Sequence, residues 1–95
     1  MRKITEDAIR AFRNGNTFKR DNTEVRVYGE QRVLRLHDSD IAVWDAEGLF
    51  ITNCGYKTVT TKERLNGLPN VHIVQKDFQW FLNGEAWDGE LVRIP

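Results

Sequence analysis

Ninety-five residues, 40% apolar and 29% charged, point to one globular domain and exclude both a disordered chain and a pair of separate cores. Fourteen Lys and Arg against fourteen Asp and Glu leave no net field to draw in nucleic acid or an anionic membrane, so any such binding must come from local patches. The lone cysteine, Cys54, excludes an intramolecular disulfide and a multi-cysteine zinc site, fits a reducing compartment, and reads as a small buried hydrophobe.

The opening Met-Arg-Lys-Ile-Thr-Glu-Asp is charged where a signal peptide is apolar, and no run reaches membrane-spanning length, so the expected location is the cytoplasm. The first predicted element is a helix from Glu6 to Arg13. Thr5 is its expected N-cap, Ile4 and Ile9 have the spacing of a hydrophobic staple, and Ala8, Ile9 and Phe12 form a narrow apolar stripe. Asn14-Gly15 supplies the left-handed residue that ends helices. The polar stretch to Asn22 reads as a loop pinned by Phe18. Thr23–Tyr28 alternates with period two, placing Val25 and Val27 inward. Arg32–His37, Ile41–Asp45 and Leu49–Thr52 follow as strands separated by turn signals, which together describe an antiparallel meander.

Thr60-Thr-Lys-Glu63 matches a capping box, so a short helix is expected to run to Asn66 and stop at Gly67, anchored by Leu65 and Leu68. Val71–Gln75 and Phe78–Leu82 read as a hairpin about Lys76-Asp77. Asn83-Gly84 is the strongest turn signal, because a two-residue type I′ turn needs positive φ at both positions. The fold class is therefore α+β: antiparallel hairpins with an N-terminal helix and a second short helix packed on the sheet.

Charge is unevenly divided. Residues 1–35 hold nine basic and five acidic side chains, and residues 36–95 hold five and nine. In the basic half Arg10, Arg13, Lys19 and Arg20 are the candidate phosphate contacts of a nucleic-acid interface; the competing reading is a solvated helix end whose arginines pair with Glu6, Asp7 or Asp21. Tyr56, Trp80 and Trp87 are the candidate anchors of a protein interface, although most aromatic residues of so small a domain must fill its core. Phe78, Trp80 and Phe81 cannot all share one strand face, so part of this set is expected to be exposed.

His37-Asp38-Ser39-Asp40 gathers an imidazole and two carboxylates, the ingredients of a cation site or acid–base pair, but Asp and Ser are also ordinary turn residues and further ligands are missing. Thr60, Thr61 and Ser39 lack a neighbouring base, Cys54 lacks an activating His, and the glycines show no phosphate-cradling spacing. No catalytic residue, metal or cofactor is expected.

Thr60–Asn66, Leu68-Pro-Asn-Val71, Gln79–Gly84 and Trp87-Asp-Gly89, together with the opening Met-Arg-Lys-Ile-Thr, resemble a group of short proteins encoded by tailed bacteriophages and prophages. The resemblance runs across nearly the whole chain. It carries no activity and no functional residues, and implies a small accessory protein of the host cytoplasm that binds a host or phage macromolecule. The preferred expectation is a non-enzymatic protein-binding module, with self-association through sheet edges as a variant. The alternatives are weak nucleic-acid binding through the basic N-terminal helix and loop, and last an enzyme using His37, Asp38 and Asp40.

Overall fold

The computed structural model describes residues 1–95. Helix α1 spans Lys3–Asn14 and closes on Gly15, whose φ of 72° is the left-handed conformation expected there. Its buried face is Thr5, Ala8, Ile9 and Phe12. The start lies earlier than Thr5, and no side chain caps it locally. Thr5 is instead fully buried inside the helix, donating its hydroxyl to Glu63 and accepting from Arg64 Nη1 at 2.8 Å. A carboxylate 58 positions away has outcompeted the local cap; Glu63 also accepts the Arg2 backbone N–H at 3.3 Å and so serves α1 from another element.

Five strands follow as a meander: β1 (Phe18–Arg20), β2 (Thr23–Tyr28), β3 (Gln31–Leu36), β4 (Ser39–Asp45) and β5 (Gly48–Ile51). The expected loop around Phe18 is thus a short edge strand, with Phe18 opposite Val25. Helix α2 spans Val59–Leu65. Because Glu63 is engaged with Thr5, the capping box at Thr60 does not form; Thr58 is the N-cap, and its Oγ1 accepts the Thr61 N–H at 3.1 Å. Strands β6 (Ile73–Lys76), β7 (Gln79–Leu82) and β8 (Glu85–Ala86) make a separate three-stranded sheet, and β9 (Val92–Ile94) returns to pair with β5. The large sheet runs β1-β2-β3-β4-β5-β9, antiparallel throughout.

One core joins these elements. Val25, Leu34, Leu36, Ala42, Ile51 and Ile94 line the inner face of the large sheet and pack with α1, with Leu65 and Leu68, and with Ile73, Trp80, Leu82 and Trp87. A register shift between Leu34 and Arg35 lets the consecutive residues Ile41 and Ala42 both turn inward, each about 1% exposed. Within the core Arg64 is 1% exposed; its guanidinium donates to Thr23 Oγ1 at 3.0 Å, to Thr5 and to Glu63, tying both helices to β2. Near the C-terminus buried Gly89 lies so close to Asn53 that a Cβ there would stand 2.0 Å from its Nδ2, and its carbonyl accepts from the Asn53 N–H at 3.0 Å. This clamp fixes the loop that carries Tyr56. No helix is long and apolar enough to cross a membrane.

Candidate functional site

The small sheet has two unlike faces because its strands alternate. Ile73 and Leu82 are register partners that point into the core, as does Trp80 opposite Gln75. The intervening row Val74–Phe81–Ala86 faces outward on three adjacent strands; Val74 and Ala86 are exposed and Phe81 is half-buried. The turn between β6 and β7 is Asp77-Phe78, one residue later than the sequence suggests, with φ of 52° and 68°. Phe78 therefore leaves the strand and sits at the hairpin tip, 92% exposed. A bulky side chain in the left-handed region is a backbone outlier, and here that strain coincides with a fully solvated aromatic ring. Lys76 and Gln79, register partners on the same face, supply a polar rim.

The expected anchors divide. Trp80 and Trp87 are 1% and 4% exposed, their rings 6.2 Å apart, so neither is available at the surface. The reason is that Lys62 of α2 covers the Trp80 ring, while the Trp87 indole N–H is satisfied internally by the Glu90 carbonyl at 2.9 Å. Tyr56 is exposed, but it borders a different hollow of about 230 Å³ with Leu36, His37, Ile41, Thr58, Thr60 and Thr61. Cys54, expected in the core, is exposed in the same loop with φ of 54°, because the Asn53 clamp claims the interior position. Burial, then the nearby Asp40 charge, pushes its thiol pKa up, away from a reactive thiolate.

Of the four basic candidates, Arg10 and Arg20 are brought together, at Asp7. Asp7 gathers Lys3 at 2.8 Å, Arg20 at 2.9 Å and Arg10 at 3.5 Å, and the hydrogen bonds from Lys3 and then Arg20 hold its carboxyl below the usual range. Lys19 alternates to the opposite face, opposite Glu24, and Arg13 stays exposed at the helix end, where its carbonyl accepts from Arg32. Around His37 the geometry is that of a turn: His37 and Asp38 have φ of 50° and 65°. Arg35 draws Asp40 to 3.1 Å and Asp38 to 3.9 Å, while the imidazole faces Asn22. No three His, Cys, Asp or Glu side chains gather as a cation site.

A second surface is the outer face of the large sheet. Val33 is 4% exposed yet lies outside the core cluster, on the side of β3 opposite core-facing Leu34. In register across it run Arg26–Val33–Val43–Phe50–Arg93, and beside that row Lys19–Glu24–Arg35–Asp40. The hydrogen bond from Arg26 holds the Glu24 carboxyl below its ordinary range. On β2 the outward Glu24 and Arg26 were visible as the polar half of its alternation, whereas Val33, Val43 and Phe50 were not; which residues become cross-strand neighbours depends on register, set by the turns.

The family model for the Kyanoviridae Gp96 protein matches residues 1–93. The chain belongs to this phage protein family. No curated protein and no solved structure matches it. The phage resemblance noted from the sequence is thereby established, and the activity of the Kyanoviridae Gp96 family is unknown.

For a member of this family the two uncovered faces offer contact chemistry. The hairpin face is apolar and carries its most exposed ring on a left-handed turn. The large face is a mixed-charge ladder flanking an apolar row, in which carboxylates interrupt the cations and so oppose a phosphate backbone.

Proposed function

We propose that this phage protein is a non-enzymatic, protein-binding module acting in the host bacterial cytoplasm, and that the Phe78 hairpin is its recognition surface. The observation that carries the reading is the coincidence of two unfavourable features at one residue. A left-handed φ of 68° and 92% exposure of a phenyl ring both destabilise the isolated protein, and no internal contact of that ring offsets them. A partner pocket that takes up the ring would supply the missing compensation, with Val74, Phe81 and Ala86 as the apolar surround and Lys76 and Gln79 as the rim. Aromatic anchors on a preformed turn lose little conformational entropy on docking.

The test is affinity purification of the tagged chain from phage-infected host lysate, with and without nuclease, alongside the Phe78→Gly variant. The expected result is a protein that survives nuclease treatment and disappears with Phe78→Gly. Recovery lost on nuclease treatment, or equal recovery by both forms, refutes the reading.

A further inference from the structure

We propose that the outer face of the large sheet is the contact surface for a second copy of this chain. The two sheets pack face to face about a twofold axis that runs parallel to the strands, between β2 and β3. The geometry comes from the order of charges in one row. Lys19, Glu24, Arg35 and Asp40 occupy four adjacent strands as direct register partners, so the row reads plus, minus, plus, minus. Reversing such a row exchanges every sign. A twofold axis through its midpoint does that reversal, setting Lys19 against Asp40 of the second copy and Glu24 against Arg35, each contact occurring twice.

Three observations favour a second copy over an unrelated partner. The row is neutral and the whole chain carries no net charge, so two copies approach without long-range repulsion. Lys19 forms no salt bridge within its own chain, unlike Glu24, Arg35 and Asp40. The same axis keeps neighbouring rows aligned: the Arg26 stem comes over Val33 of the second copy and Tyr28, 55% exposed, over Gln31, so the Tyr28 ring is covered along with the charges. A nucleic acid would meet Glu24 and Asp40 at every second position of the row.

Analytical ultracentrifugation of the full chain from micromolar to submillimolar concentration tests this. The wild type is expected to associate reversibly to a dimer. Lys19→Asp places two acids against Asp40, and Asp40→Lys places two lysines against Lys19; each substitution alone is expected to weaken dimerisation at least about tenfold. An equimolar mixture of the two variants restores opposite charges at both contacts, and its heterodimer should recover wild-type affinity to within about threefold. Both side chains are exposed, and circular dichroism checks that each variant is folded. A wild type that stays monomeric, single variants that associate as it does, or a mixture that fails to recover would each overturn the proposal. Phe78→Gly leaves this equilibrium unchanged, so the dimer and the hairpin surface stand or fall separately.

Discussion

Replacing Phe78 with glycine should make the protein more stable while removing its proposed anchor. The turn demands positive φ at both central residues, and the neighbouring hairpin meets that demand with Asn83-Gly84 at 50° and 90°. A side chain bearing Cβ is disfavoured in the left-handed region by ~1–2 kcal/mol. Glycine gives back ~0.4–1 kcal/mol through the greater freedom of its unfolded chain. The ring is 92% exposed, so its removal forfeits almost no buried area. The balance is a gain of about 0.5–1 kcal/mol, which in a domain of this size raises the melting temperature by roughly 2–8 °C. Thermal unfolding followed by circular dichroism, with urea titration for the free energy, measures it. A lower melting temperature would refute the reasoning, since it would mean that the ring contributes to the folded state. Against an identified partner the same substitution should weaken binding by about 2 kcal/mol or more, roughly thirtyfold.

Arg64→Met keeps an unbranched apolar stem but strands the Thr5 and Thr23 hydroxyls and frees Glu63, for an expected loss of about 3 kcal/mol in urea denaturation; an unchanged midpoint would show that the buried network adds nothing. Gly89→Ala drives a Cβ into the Asn53 side chain at a residue whose φ is +98°, and a destabilisation of about 3 kcal/mol or more is expected, with near-ultraviolet circular dichroism reporting loosening around Trp87. Burial pushes the Glu63 carboxyl up, but hydrogen bonds from Thr5, the Arg2 N–H and Arg64 outweigh it and leave the pKa below its unfolded value. The stability this group contributes is therefore complete above the ordinary Glu range and is lost as pH falls through the folded pKa; Glu63→Gln should flatten the decline between about pH 5 and pH 2, and an identical acid limb would contradict the assignment.

The elements that hydrophobic alternation and turn chemistry describe were legible: α1 ending at Gly15, the strands from Thr23 to Ile51, and the Asn83-Gly84 hairpin. What escaped the sequence rests on partners distant along the chain. Thr5 and Glu63 each had a plausible local capping role, and both abandoned it for one another across 58 positions, bringing Arg64 into the core with them. Cys54 lost its interior place to Asn53 because Gly89, far along the chain, fits only there. The tip of the β6–β7 hairpin shifted by one residue, enough to move Phe78 out of the strand while Trp80 kept its inward face. Asp77-Phe78 resembles no common turn pair, which is why the shift could not be read in advance.

The same two-sheet arrangement explains why the binding candidates are not the tryptophans. A core shared by two sheets and two helices needs its largest rings where the layers meet, and Trp80 and Trp87 lie there, Trp80 beneath Lys62. Each sheet is then left with one face and nothing to cover it. On the large sheet the uncovered apolar row is only partly shielded, with Val33 buried and Phe50 half-buried beside a row of alternating charge, a pattern that tolerates water and suits a reversible contact. On the small sheet there is no such ladder. Val74, Phe81 and Ala86 meet solvent with only a thin polar rim, and the exposed ring at the tip sits where the backbone itself would favour glycine. Stability alone favours glycine at the tip and a polar residue at Val74. That the chain has neither, while it uses Asn-Gly at the very next turn, is what the proposed partner contact would account for.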